Sequence, residues 1–292
     1  MRIRVPASSA NLGPGFDSFG LAWQLYNEIE VEHAEELRIE GCDARFRGED
    51  NLVWRAYAGA LRACGRQAGG AHIRFLRGEI PVSRGLGSSA ALIAAGVRAA
   101  DRLNRLSLGQ DELLDLATAV EGHPDNVAPA LLGGLTVSLM DGDRAVTRRF
   151  PLSDRLRFTL LIPPFELSTA LARSVMPPSV RMEDAVFNLS RAALLLRALG
   201  DGDGDLLRLA LDDRLHQPYR RGLIPGYDAA RDAAEALGAL GLCISGAGST
   251  LLCVSDRPDF ADRMETSLEM ALPGWELHVL TPDLSGAMIA AM

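Results

Sequence analysis

Lysine does not occur anywhere in this chain of 292 residues; all 30 positions of the Lys-plus-Arg count are arginine. That absence excludes a Walker A loop, which sets a lysine on the phosphates, the strand lysine of protein kinases, and Schiff-base catalysis. Cysteine is scarce as well. Cys42, Cys64, Cys243 and Cys253 are widely spaced with no C-x-x-C pair, which speaks against a zinc site or a disulfide framework and leaves them as small buried hydrophobes. No apolar run approaches the ~18 residues of a membrane span. The opening MRIRVPASSANLGPGF has basic residues but no apolar stretch of a secretory signal. A cytoplasmic protein without a membrane partner is the expectation. The net charge of −8, with arginines dispersed, offers no basic stripe for nucleic acid.

Against these absences stands a 48% apolar composition. A chain this long exceeds one ordinary core, so two domains are expected, with a boundary in the charged stretch Asp141 to Arg157: residues 1–150 and 151–292. NEIEVE, with Ile29 and Val31 alternating with acids, reads as a half-buried strand, and LVWRAYAGALRAC follows with helical periodicity that sets Val53, Tyr57, Ala60, Leu61 and Cys64 on one face. AHIRFL reads as a strand and SSAALIAAGVRAADRLN as a buried helix. Ser107 and Gln110 fit a capping box for DELLDLATAVE, with Gly122 as its stop. GLTVSLM, FTLLIPP, CIS, TLLCV and WELHVL read as strands. Helical patterns fall near Ser168 to Val175, Glu183 to Leu199 and Asp228 to Leu240. Strands and helices are mixed throughout, an α+β class. There is no internal repeat, and the only biased segment is the short turn Gly200 to Asp205.

The strongest chemical signal is Pro81-Val82-Ser83-Arg84-Gly85-Leu86-Gly87-Ser88-Ser89-Ala90-Ala91, immediately before and into the Ala-rich helix. Glycines let backbone N–H groups turn inward and a helix N-terminus adds unpaired donors, so a polyphosphate fits. A serine-capped glycine turn fits the same letters. A dinucleotide-binding reading requires a following strand ending in an acid, whereas here one helix leads directly into another.

Two further segments narrow the choice: Pro6-Ala-Ser-Ser-Ala-Asn-Leu-Gly-Pro-Gly-Phe-Asp17 and Ile244-Ser-Gly-Ala-Gly-Ser-Thr250. With the central loop they resemble the three signature motifs of the GHMP kinases, across essentially the whole chain. Within that superfamily PASSANLGPGFD, GLGSSAA, EGHPDNVAPALLGG, PYRRGLIPGY and SGAGST are most similar to segments of homoserine kinases. The resemblance implies a two-domain GHMP-kinase fold, with an N-terminal α/β nucleotide-binding domain and a C-terminal ferredoxin-like α+β domain. It implies ATP and Mg²⁺, an alcohol acceptor, L-homoserine, and a step of threonine biosynthesis. A homodimer is common in the family.

Carried over residue by residue, Pro81 to Ala91 would wrap the phosphates, Asn51 would lie near the base, and Ser88 with Glu121 would hold the metal. Asn51 also fits a helix N-cap. Asn11 and Asp17 match residues that hold the acceptor's hydroxyl end and ammonium; His123, Asn126 and Thr169 match pocket neighbours; Arg173 and Arg220 match a carboxylate clamp. Many relatives present an aspartate base where this chain has Asn126. Asparagine cannot take a proton, so the resemblance implies catalysis by positioning and metal electrostatics, with the proton passing to the phosphate; the adjacent Asp125 is the alternative acceptor. Two rival functions are another GHMP small-molecule kinase and a nucleotide sensor without turnover.

Overall fold

The protein is described from a computed structural model, over residues 1–290. The first sheet is built from β1 (Arg2–Ala10), β2 (Phe19–Ala34), β3 (Arg38–Glu40), β4 (Gly70–Gly78), β5 (Leu135–Asp141) and β6 (Arg144–Phe150). All its pairings are antiparallel except β3 with β4. The second sheet contains β7 (Arg157–Ile162), β8 (Gly241–Ile244), β9 (Leu251–Ser255) and β10 (Glu276–Leu280), in spatial order β10-β7-β9-β8. Helices separate β7 from β8 and β9 from β10, so the order is fourth, first, third, second in a β-α-β-β-α-β run, the ferredoxin-like arrangement. After β10 the chain returns to the first sheet, where β11 (Met288–Ile289) pairs with β1 and Trp23 bridges to Pro282.

Helices α1 (Leu52–Ala63), α2 (Ser88–Asn104), α3 (Gln110–Glu121) and α4 (Pro124–Leu132) pack with the first sheet in the main core. That core continues into the second sheet, because Trp23 on β2 meets Phe158 on β7 with ring centroids 5.2 Å apart. Later helices are α5 (Thr169–Ser174), α6 (Met182–Asp201), α7 (Gly204–Ala210), α8 (Gln217–Arg220), α9 (Tyr227–Ala236) and α10 (Phe260–Ala271). Leu161, Ile244, Phe260 and Met264 form a second core between this sheet and α9 and α10. No helix of the described residues is long and apolar enough to cross a membrane.

Several expectations are corrected. The helix after Ser107 starts two residues later than the capping box required: Gly109 is its N-cap and the Glu112 carboxylate accepts from the Gly109 N–H at 2.7 Å. Ser107 lies outside, with φ +59°. Within the charged stretch Asp141 to Arg157 lies β6, whose arginines face out while Ala145 faces in, and the second sheet begins at its end with β7. The turn Gly200 to Asp205 ends α6 at Gly202 and starts α7 with Asp203 as its cap. Only Cys243 and Cys253 are buried; Cys64 is exposed at the end of α1, and all four thiols are free.

Helix α2 carries the phosphate-loop sequence at its N-terminus, and its alanines explain how it can be central. Ile93, Ala94, Ala95, Val97 and Ala99 are fully buried. Gly96 permits the closest approach: a Cβ there would sit 2.4 Å from the Val53 carbonyl oxygen and 2.7 Å from the Ala56 Cβ. Gly96→Ala should therefore destabilise the protein although alanine is ~1 kcal/mol better in a helix interior, because overpacking costs about 1–3 kcal/mol. Urea denaturation should show a lower midpoint with an unchanged slope; a higher midpoint would contradict the close crossing.

Candidate active site

A cleft of about 700 Å³ lies where the two sheets' loops converge, lined by the segment Val82 to Ser89 at one end and by Arg173, Arg220 and the Gly246 to Gly248 turn at the other. Peptide orientation defines the first end. The carbonyls of Ser83, Arg84 and Leu86 accept from Leu167 N–H at 2.8 Å, Thr250 N–H at 3.1 Å and Ser8 N–H at 3.1 Å, and that of Gly85 accepts from Ser245 Oγ at 2.6 Å. Every one of these oxygens is turned into the scaffold. No N–H from Gly85 to Ser89 has a partner among the described residues. Gly87 makes the turn into α2 in the left-handed region, φ +66°, and a Cβ there would lie 2.0 Å from Ser8 Oγ. Free donors and the positive end of a 17-residue helix thus face one space.

Pro81 does not line the cleft, and Ala90 and Ala91 are buried in the core behind it. Asn51 lines it but is the N-cap of α1: its Oδ1 accepts from Val53 N–H at 2.9 Å and its Nδ2 donates to the Phe46 carbonyl at 2.8 Å. Its amide is committed to the backbone.

Glu121 ends α3, Gly122 turns the chain, and α4 opens at once, so Glu121, His123, Asp125 and Asn126 gather beside the phosphate loop. The hydroxyl meeting Glu121 belongs to Ser89, 2.6 Å from Oε1, and not to Ser88. The expected pair is thus displaced by one residue. Burial pushes the Glu121 carboxyl above its ordinary range, while the Ser89 bond acts in the opposite sense. A desolvated carboxylate beside a hydroxyl, both hard oxygen donors, fits a small divalent cation. His123 Nδ1 and Asp125 Oδ1 are 2.5 Å apart, and this bond holds the imidazole above its ordinary pKa. Asn126 Oδ1 accepts from Ser8 Oγ at 2.9 Å.

At the other end, Asn11 is a fastening: Nδ2 donates to the Gly246 carbonyl at 2.8 Å and Oδ1 accepts from Asp17 N–H at 2.9 Å. It stitches a turn in which Asn11, Leu12 and Asp17 have φ of +70°, +47° and +53°, strain of the kind found at functional sites. The Asp17 carboxylate takes a two-point bond from Arg173, 2.9 and 3.2 Å, which raises the arginine's pKa. Thr169 is the exposed first residue of α5 on the same rim. Arg220, in contrast, is 2% exposed. It donates to the carbonyls of Ala172 at 3.2 Å and Gly246 at 3.1 Å and to His216 Nδ1 at 3.5 Å, and to no carboxylate among the described residues. Burial lowers its pKa. An unneutralised guanidinium in a cleft wall is a site for an anion.

Ser8 and His216 are the contributors that sequence reasoning missed; Ser89 was placed with the phosphate-wrapping segment, but its bond to Glu121 was not. His216 is fully buried and stacks on Phe16 at 5.2 Å. Its Nε2 lies 2.8 Å from the Gly13 carbonyl, which can only accept, and its Nδ1 faces Arg220, which can only donate. The ring is therefore neutral, with the proton on Nε2.

Comparison with known proteins agrees with this geometry. The GHMP kinases N terminal domain matches residues 51–134 and the GHMP kinases C terminal domain residues 193–271. A homoserine kinase of Clostridium botulinum is 41% identical over 99% of this chain and 98% of its own. The crystal structure of homoserine kinase from Cytophaga hutchinsonii superposes with a TM-score of 0.87 at 28% identity, covering 99% of this chain and 96% of that one. L. major mevalonate kinase shares the fold, with a TM-score of 0.70 at 16% identity over 97% and 96% of the two chains. The chain belongs to the GHMP kinases, in the homoserine kinase branch, and is an ATP-dependent phosphotransferase that acts on an alcohol.

Neutral His216 has a measurable consequence. Burial pushes its pKa below the ordinary histidine value. The unfolded chain takes up a proton near pH ~6.5 while the folded one does not, so this group lowers stability as pH falls through that value. His216→Gln should show a shallower loss of Tm than wild type between pH 7.5 and 5; equal slopes would contradict the neutral buried ring.

Proposed function

We propose that the chain transfers the γ-phosphoryl group of ATP to the side-chain hydroxyl of L-homoserine, giving O-phospho-L-homoserine and ADP, as a cytoplasmic step of threonine biosynthesis. The observation that carries this reading is the pairing of opposite needs in one cleft: unpaired N–H donors at one end and, at the other, a buried unneutralised Arg220 beside the Asp17–Arg173 pair. A polyphosphate suits the first end. A zwitterionic amino acid suits the second, its carboxylate against Arg220 and Arg173 and its ammonium against Asp17. A polyol or isoprenoid alcohol offers Asp17 no cation.

On this reading the N–H groups of Gly85 to Ser89 grip the phosphates, and the apolar wall of Phe46, Leu52 and Phe75 receives the adenine. Ser89 and Glu121 would hold Mg²⁺, with Ser88 beside them on the first turn of α2. Bound there, the metal neutralises charge on the transferring group. The acceptor oxygen bonds to the γ-phosphorus as the bond to the β,γ-bridging oxygen breaks, and ADP leaves. Asn126, fixed by Ser8, orients the hydroxyl without taking its proton. The proton passes to a phosphoryl oxygen, because a loose transition state asks little of a base and Asp125 is already bound to His123.

ADP release should be strong with homoserine and weak with threonine, serine, mevalonate and shikimate. Arg173→Gln should raise KM for homoserine several-fold, less than the about 30-fold expected of a desolvated contact because the Asp17–Arg173 pair is exposed, with nucleotide affinity unchanged. A homoserine ester, lacking the carboxylate, should lose little further from the same substitution. Equal losses on acid and ester would remove the amino-acid reading, and absence of turnover with every acceptor would favour a sensor.

A further inference from the structure

A second cavity, of about 560 Å³, lies between α7, α8, α9 and β8 and shares no lining residue with the cleft. That volume is in the range of small-molecule sites. Leu211, Leu240 and Leu242 give it an apolar wall. Gln217 and Tyr227, only 6% and 7% exposed, also line it. Gln217 Oε1 accepts from the Ile244 N–H at 2.7 Å; a backbone N–H can only donate, so the amide is oriented and Nε2 is its free end. Neither that Nε2 nor the Tyr227 hydroxyl has a hydrogen-bond partner among the described residues.

The carboxylates around this cavity, by contrast, are already in use. Asp213 accepts from Asn188 Nδ2 at 2.6 Å and from the N–H groups of Leu215, His216 and Gln217 at 3.0, 3.0 and 2.7 Å. Asp212 accepts from the Asp213 N–H at 2.9 Å, and Glu235 faces Arg231 at 3.8 Å. The arginines hold donors in excess. Arg208 donates to the Ala239 carbonyl at 2.7 Å and Arg221 lines the cavity, and neither meets a carboxylate among the described residues. What converges here without a partner is therefore donors: an amide, a phenol and two guanidinium groups. Buried donors without acceptors are costly, and an anionic oxygen answers all of them.

We propose that this cavity binds a small anion, a carboxylate or a phosphate ester, and that the bound anion weakens the hold of the cleft on its acceptor. The single turn of α8 separates the two spaces, with Gln217 and Pro218 lining the cavity and Arg220 lining the cleft. A negative charge on the far side of that turn offsets part of the field of the buried Arg220 guanidinium and so opposes a carboxylate arriving from the cleft; buried charges are screened far less than exposed ones. A second link runs through the backbone. Gln217 holds Ile244, and two residues on the Gly246 carbonyl accepts from Arg220 at 3.1 Å. The coupling is reciprocal, so a bound acceptor weakens the anion by the same factor. The site stands on its own residues, whereas the coupling rests on the acceptor reading given above.

Proton–nitrogen NMR of the full chain at constant ionic strength, with the phosphate loop occupied by a non-hydrolysable ATP analogue and Mg²⁺, tests the site. Inorganic phosphate and L-malate, each titrated to about 10 mM, should move the Gln217 side-chain amide and the Arg221 Nε–H saturably, and the tighter of the two identifies the acidic group preferred. Tyr227→Phe and Arg221→Gln should each raise that dissociation constant about tenfold, while far-UV circular dichroism and kcat without the anion stay unchanged. In ADP-release assays the same anion should raise KM for homoserine about threefold, leave KM for ATP unchanged, and lose its effect in Arg221→Gln. No saturable movement with either anion, or equal affinity in both variants, would overturn the site. An unchanged KM for homoserine with the site occupied would overturn the coupling. A chain that turns over no homoserine would overturn the acceptor reading and the coupling with it, while the titration alone decides the site.

Discussion

Everything in the cleft depends on which way a few peptide units point. The loop before α2 could present carbonyl oxygens or N–H groups to the cavity, and only the second can receive a polyphosphate. Four carbonyls are held outward by partners from distant parts of the chain: Ser8 on β1, Leu167 before α5, Ser245 and Thr250 flanking the β8–β9 turn. The nucleotide grip is thus a product of the assembled fold. Ser8 has a double duty, fixing Leu86 through its N–H and Asn126 through its hydroxyl. One residue of the first strand therefore sets both the phosphate donors and the residue assigned to the acceptor hydroxyl.

The acceptor end follows from the same economy of unsatisfied groups. Asp17 and Arg173 neutralise each other, so on the proposed reading an incoming amino acid would exchange one two-point bond for contacts to both of its own charges. Arg220 has no such internal partner. Its guanidinium is aligned by the Ala172 and Gly246 carbonyls and by the lone pair of His216. His216 in turn is held by Gly13, and its neighbouring backbone by Asp213, whose carboxylate accepts from His216 N–H at 3.0 Å and Gln217 N–H at 2.7 Å. A buried cation supported in this way costs stability unless an anion arrives, and that cost favours substrates carrying a carboxylate.

Local chemistry was legible in the sequence wherever neighbours along the chain decide it. The glycine–serine loop opening an alanine-rich helix, the Asn51 cap and the strands around Ile29 and Phe158 all follow from short-range rules and are present. Errors arose where one residue of phase or a long-range contact decides. Successive residues on a helix point about 100° apart, so whether Ser88 or Ser89 reaches Glu121 turns on α2 beginning after Gly87. The start of α3 was misplaced because its cap, Gly109, has no side chain to announce it. α4 carries Pro129 inside an apolar stretch, which hides its helical period in the sequence. His216 and Ser8 act on residues far away in sequence, and nothing in their immediate surroundings marks them.

The most direct test of the account is the assignment of the two ends by amide chemical shift in the folded protein. On addition of a non-hydrolysable ATP analogue with Mg²⁺, the amide resonances of Gly85, Gly87, Ser88 and Ser89 should move downfield as their free N–H groups find phosphate oxygens, while Gly246 and the Arg220 side-chain Nε–H should move little. L-Homoserine alone should produce the converse pattern. If the analogue bound tightly yet left the Gly85 to Ser89 amides unmoved, the outward-held carbonyls would not be serving a phosphate grip, and the central claim would fail.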